Sequence, residues 1–281
     1  MSLRCSYIIV PRWAILLASG CQKISINCFF LKSRIPSAYD MEGMHSEVNG
    51  ERGEDRCRSQ WNQWQLIDSI LPTGGFAHSF GLEAALQTRV ASSSEEVRLF
   101  IIHVLENTGS LLLPFVHAAT VSPTMETCQK LNTILDATLN NEVTRKASLA
   151  QGSALMRVAA TVFREAPLLK SVRDAAIGSS SVKLHHAPIF GLTCGLLGID
   201  TEIAQRCYLF TTMRDGISAA TRLNLVGPLG AAVLQHEIAS AAEDVLQKWK
   251  DRSIEDACQT SPFLDALQGC HSYLFSRLFC S

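Results

Sequence analysis

From Trp61 to Ser281 apolar residues recur at three- and four-residue spacing, and no strand-length run is bounded by hairpin turns such as Asn-Gly. Val97, Phe100, Ile101, Val104 and Leu105 mark the buried face of one helix. Its start is Ser92-Ser93-Ser94-Glu95-Glu96, in which Ser93 caps while Glu96 reaches back. A second helix follows Ser122-Pro123, with Leu131, Ile134, Leu135 and Leu139 along one side. A third is expected from about Thr144 to Ala166, ended by Pro167. Asp200 caps a fourth that carries Ile203, Cys207 and Phe210. A long helix follows Pro228 through Val233, Leu234, Ile238, Val245, Leu246 and Trp249, and the last is expected over Phe263 to Phe279.

Small residues interrupt these patterns in a consistent way. Gly191, Gly195 and Gly198 punctuate one apolar stretch, and Gly152 with Ala147, Ser148 and Ala154 makes a second small-sided face. Each glycine inside a helix costs about 1 kcal/mol relative to alanine, a cost offset where neighbouring backbones must approach closely. The expected fold class is therefore all-α. It is a single compact bundle of roughly eight to ten helices with no significant sheet.

Composition agrees with a packed core and removes several functions. Of 281 residues, 47% are hydrophobic and 18% charged, with net charge −1, so the chain lacks the basic footprint of a nucleic-acid binder. Its apolar stretches, such as Ala187 to Ile199, stop well short of the roughly 18 residues a membrane span needs. The ten cysteines have no CxxC pair and no zinc-like spacing; most lie in apolar stretches and read as buried, reduced thiols, which favours the cytosol. The N-terminus is different. Before Asp40 there is no acidic residue against Arg4, Arg12, Lys23, Lys32 and Arg34, which fits either a transit peptide or translation from Met41. Residues 1–60 are expected to be a disordered or artefactual extension, and 61–281 the folded domain.

Chemistry-bearing motifs are few. Leu71-Pro72-Thr73-Gly74-Gly75-Phe76-Ala77-His78-Ser79-Phe80-Gly81 invites a phosphate-cradle reading, but it lacks the lysine and following Ser/Thr of a P-loop. It reads as a tight turn between helices, with Gly74 and Gly75 able to offer backbone groups to a partner. His185 and His186, with Cys194 beyond them, are the best metal candidates. Adjacent histidines on a helix point about 100° apart, which disfavours a shared metal. There is no Gly-x-Ser-x-Gly elbow. Arg214-Asp215 and Arg222 flank a small-residue stretch and suit either internal ion pairing or a partner-facing role. On residues alone, a binding or assembly protein is favoured, and the alternative is an independent metal-dependent enzyme using His185 and His186.

Together these motifs resemble a known family. The run Trp64-Gln65-Leu66-Ile67-Asp68-Ser69-Ile70-Leu71 leading into the Pro72–Gly81 loop and Leu82-Glu83 is similar to the opening signature of urease accessory protein F in its plant form. The resemblance continues through Gln151-Gly152 with Leu155 and Arg157, His185-His186-Ala187-Pro188-Ile189-Phe190-Gly191, and Ala219-Ala220-Thr221-Arg222-Leu223. It then takes in Gly227-Pro228-Leu229-Gly230 and closes on Ser276-Arg277-Leu278-Phe279-Cys280-Ser281. Two departures stand out from bacterial members: Ala231 where a glutamine follows Pro-Leu-Gly, with Gln235 matching the second glutamine, and Cys280 in place of an arginine.

The resemblance implies an all-α, homodimeric, cytoplasmic protein with no catalytic site and no tightly bound cofactor. Its role would be to join accessory protein D/H to the GTPase G, in a complex that handles nickel(II) in transit to the urease apoprotein. Nucleic acid and membrane are not among the implied partners. Carried onto this chain, the resemblance implies a C-terminal helix and tail over Phe263–Ser281 docking on D/H, and a functional surface around Pro228, Leu229, Gly230 and Gln235. The expected partner interface is thus Pro72, Gly74, Gly75, Arg222, Pro228, Gly230, Gln235, Arg277, Leu278 and Phe279. For the tail tip two outcomes are open: an exposed docking tip, or a tip folded back on its own bundle.

Overall fold

The computed structural model describes residues 50–178 and 182–281. Expectations about residues 1–49, including the start of translation and a transit peptide, lie outside the described residues. Among the described residues eleven α-helices follow in chain order: α1 Gly50–Ile67, α2 Leu82–Gln87, α3 Ser94–Leu111, α4 Leu113–Val121, α5 Met125–Thr138, α6 Glu142–Val162, α7 Pro167–Gly178, α8 His186–Leu196, α9 Thr201–Arg222, α10 Pro228–Trp249 and α11 Pro262–Cys270. No strand occurs among the described residues.

Two interior helices organise the bundle. In α8 every residue from Ala187 to Cys194 is buried, and α4 is buried at Leu113, Pro114, Phe115, Val116, Ala119 and Thr120. Helices apolar all round belong in a core. Their glycines let the backbones meet. A Cβ on Gly191 would lie 2.3 Å from the Val116 carbonyl oxygen, and one on Gly195 would lie 2.6 Å from that of Thr120. The Thr120 hydroxyl donates across the contact to the Gly191 carbonyl at 3.2 Å. On the other side, a Cβ on Gly152 of α6 would fall 2.1 Å from the Leu184 carbonyl, where the chain enters α8. α9 and α10 are pinned in register by Arg206, whose guanidinium reaches Glu202 at 2.7 Å and Glu243 at 2.9 Å. That bonding holds the Glu243 carboxyl down at about 2.

The helix starts follow local chemistry. Ser93 accepts from the Glu96 amide at 3.3 Å while Glu96 accepts from the Ser93 amide at 2.9 Å, completing the expected capping box. Asp200 accepts from Glu202 N at 2.9 Å. α3 buries Val97, Phe100, Ile101, Val104 and Leu105.

Several boundaries differ from expectation. α5 is capped by Thr124, not at Ser122-Pro123. The sequence predicts Pro167 as the end of α6; instead α6 ends at Val162 and Pro167 opens α7. Proline pushes the preceding residue out of the helical region yet fits a first helical turn. The helix count exceeds the expected range partly for this reason. Residues 50–60, expected as disordered lead-in, form the first turns of α1; arginine and glutamine favour helix however polar they are. Val233, grouped by periodicity with the buried stripe of α10, is 50% exposed. α11 stops at Cys270, short of Phe279, and a 3₁₀ turn at His271–Tyr273 leads into a bent, non-helical tail. Among the described residues no single helix is long and apolar enough to cross a membrane. The α3–α4 pair passes on length and composition only and is bent by 44°.

The helix contacts give a direct test. Gly191→Ala is expected to lower stability by about 2–3 kcal/mol, because the added methyl meets backbone that cannot yield. Gly230→Ala, with nothing within 4 Å of its added carbon, is expected to be neutral or stabilising by up to about 1 kcal/mol. Urea denaturation of both variants measures the difference.

Candidate functional site

The segment from Leu71 to Gly81 links α1 to α2 and folds as a compact loop. Gly74 lies at φ 81 and Gly81 at φ 87, both left-handed, with a 3₁₀ turn over Gly75–Ala77 between them. Gly75 is there for a different reason. A Cβ at this position would lie 1.9 Å from Oδ2 of Asp215. Its carbonyl is occupied by the His78 amide at 3.1 Å, and that of Gly74 by Ala77 at 3.0 Å. Of the two glycines only Gly74 is exposed, beside the exposed Pro72. Gly75 is buried and its carbonyl is taken up within the loop.

Three side chains from α9 hold this loop. Arg214 pairs with Asp215 at 2.8 Å, donates to the Ile67 carbonyl, and lies 4.9 Å over the Phe76 ring. Burial pushes the Asp215 carboxyl above its ordinary pKa, against the pull of Arg214. Arg222, in the last turn of α9, donates to the Phe76 carbonyl and covers the Phe279 ring at 4.4 Å. Both arginines thus have internal partners, while Arg222 keeps one exposed side.

The tail lies back against this loop. Cys280 N donates to the Ala77 carbonyl at 2.8 Å, and Ser79 N to the Ser281 carbonyl at 2.7 Å. Glu83, only 3% exposed, accepts from Leu278 N at 2.6 Å and Phe279 N at 3.1 Å and stands 3.2 Å from His271 Nε2. Phe279, expected at a docking tip, is instead buried at 5% exposure, because the loop edge and Glu83 draw the backbone inward. Arg277 and Leu278 do face outward, with Tyr273 and Phe275. Glu83 and His271 are not distinguishable in the sequence as the residues beneath the tail; the one local signal is a carboxylate set between Leu82 and the alanines of a short apolar helix.

The remaining expected interface residues sit elsewhere on the surface. Pro228 and Gly230 are exposed at the start of α10, and Gln235 is half-buried two turns on. Leu229 is 82% exposed beside them. Arg222, Pro72, Gly74 and the tail share one region through the Phe76 and Phe279 contacts, and the short turn Leu223–Gly227 carries the chain from Arg222 to Pro228.

The histidine pair diverges. His185 is fully buried, with Nε2 3.2 Å from Asp136 and Nδ1 3.1 Å from the Ser148 hydroxyl; burial lowers its pKa while Asp136 opposes. The His186 ring packs instead against Tyr208, centroids 5.2 Å apart, and Phe190 at 6.0 Å. It borders a cavity of about 90 Å³ shared with His78, Gln151, Tyr208, Thr212 and Asp215. Burial pushes both His186 and His78 down to about 4. Among the described residues no three His, Cys, Asp or Glu side chains gather as a metal site. Cys128, Cys194 and Cys207 are buried free thiols as expected, whereas Cys57, Cys258, Cys270 and Cys280 are exposed.

Comparison with known proteins identifies the family of the chain. Residues 91–239 match the UreF family. The chain is similar to urease accessory protein F of Arabidopsis thaliana, 67% identical over 222 residues that cover 79% of this chain and 92% of that protein. It is also similar to urease accessory protein F of Oryza sativa subsp. indica, at 65% over 79% of this chain and 85% of that one. A more distant relative is urease accessory protein UreF of Trichodesmium erythraeum, at 26% over 77% of this chain and 94% of that protein.

Among the histidines that burial depresses, His78 and His186 fall to about 4 and set a pH dependence, to which the lowering of His185 adds. The unfolded chain takes up their protons near pH 6.5 and the folded chain only near 4, so their stability contribution is complete above 6.5 and lost as pH falls between those values. Each should contribute a slope of about 1.4 kcal/mol per pH unit. Denaturant midpoints from pH 7.5 to 5 should fall accordingly, and His186→Phe should remove about 1.4 kcal/mol per pH unit of the slope.

Proposed function

Because the chain belongs to the UreF family of urease accessory proteins, whose role lies in urease maturation, we propose that it acts there as a non-catalytic scaffold. In this reading it joins accessory protein D/H to the GTPase G, so that GTP-dependent nickel(II) insertion into the urease apoprotein proceeds within one complex. Nickel is cargo here and not a resident cofactor. The protein works in the cytoplasm as a homodimer.

One observation carries the reading most. Leu229 is 82% exposed and Val233, one turn along α10, is 50% exposed, beside Pro228 and Gly230. A monomer gains nothing from such a strip, and apolar surface rimmed by polar residues favours partner contact. The second contact region is the outward side of the tail. With Phe279 buried, docking on D/H falls to Arg277 and Leu278, flanked by Tyr273 and Phe275. Arginine and aromatic side chains are the commonest interface hot spots.

Leu229→Asp and the pair Arg277→Ala with Leu278→Ala should leave stability within about 0.5 kcal/mol, since all three positions are exposed. Each variant is expected to lose urease activation in cells that lack the native protein, the tail pair through lost capture of D/H. Full activation by both variants would overturn the assignment of these surfaces.

A further inference from the structure

Asp136, His185 and Ser148 stand in one hydrogen-bonded line drawn from three parts of the bundle. Asp136 lies on α5, Ser148 on α6 and His185 at the N-cap of α8. The His185 ring is fully buried, with Asp136 Oδ1 3.2 Å from Nε2 and Ser148 Oγ 3.1 Å from Nδ1. These partners fix the protons. An ionised Asp136 only accepts, so Nε2 carries the hydrogen and Nδ1 presents its lone pair. Ser148 Oγ already accepts from His186 N at 3.3 Å, which leaves its own proton for Nδ1. Burial favours the neutral ring, against the pull of Asp136.

A hydroxyl, a neutral imidazole and a carboxylate that orients the imidazole make a nucleophile and its base, a constellation recognised by geometry and roles and not by position in the chain. The hydroxyl also has a place to act. Ser148 is half-buried and lines the cavity beside His186, whose walls include the apolar Val104, Leu111 and Leu139. Gln151, one turn along α6, and Tyr208 line it too, an amide and a phenol that donate to a carbonyl oxygen. Half-buried Asn107 and Thr144 border the same space and connect it to solvent. At about 90 Å³ it suits a short acyl group and no long chain.

We infer that Ser148, His185 and Asp136 form a nucleophilic site that cleaves small, uncharged acyl esters. Ser148 Oγ bonds to the acyl carbon while its proton passes to His185 Nδ1, and the alcohol leaves with that proton. Water then attacks the acyl carbon and gives a proton to Nδ1; the bond to Oγ breaks, the proton returns to Oγ, and the carboxylic acid is released. The inference goes beyond the scaffold role in urease maturation and does not rest on it. Two probes applied to the full chain test it: a small alkyl fluorophosphonate, read by peptide mass spectrometry, and p-nitrophenyl acetate. Ser148 is expected to be labelled about tenfold or more faster than the exposed Ser92 and Ser94. Ser148→Ala is expected to lower p-nitrophenol release by about tenfold or more, and Asp136→Asn to slow labelling of Ser148 to a similar extent with helical circular dichroism kept. Labelling of Ser148 no faster than of Ser92 overturns the inference whether or not the variants fold, as does ester cleavage unchanged in Ser148→Ala. Undiminished labelling in folded Asp136→Asn also overturns it, because the line of bonds would then only tie the helices together.

Discussion

The close approach of α8 to its neighbours governs the rest of the bundle. Gly191 and Gly195 admit the backbone of α4, and Gly152 admits the chain entering α8. These contacts bring main chain to within a distance that no side chain can share, so the interhelical spacing is fixed by covalent geometry rather than by the choice of apolar residue. Interiors this dense transmit strain instead of absorbing it. The position of α8 in turn decides where His185 and His186 end up: one ring faces Asp136 and Ser148, the other Tyr208 and the cavity.

Around that centre the fold divides its polar groups by role. Glu83 serves main-chain amides, Arg214 and Arg222 serve carbonyls and ring faces, and Arg206 serves carboxylates on two helices. The internal duties of Arg222 are compatible with an outward one, since its stacking on Phe279 leaves an exposed side. The result is a surface region whose shape is set from within, by α9.

What was legible in the sequence was whatever depends on neighbours along the chain. The capping box at Ser93 and Glu96, the cap at Asp200 and the buried stripe of α3 each rest on spacings of a few residues. The close packing expected of Gly152, Gly191 and Gly195 was legible too, because glycine in an apolar helix has few other uses. The tail was not. Its apolar residues at Leu274, Leu278 and Phe279 imitate a helix face, and the distant Glu83 and the edge of the Ala77–Ser79 loop hold it out of a helix. For the same reason Phe279 moved from expected contact residue to core residue, whereas Arg277 and Leu278 stayed at the surface. Gly75 was legible as special but not for its purpose, since the carboxylate that excludes a side chain there lies far along the sequence in α9.

Glu83 recognises the tail through amide protons, which every residue except proline supplies. Such a seat is indifferent to spelling: it fixes where Leu278 and Phe279 lie without regard to the side chain at Leu278 or at Arg277 before it. The outward positions of the segment are thereby released from any duty in folding. They can be rewritten to suit a different binding surface while the path of the chain beneath them stays the same, so that shape and address are encoded separately within five residues.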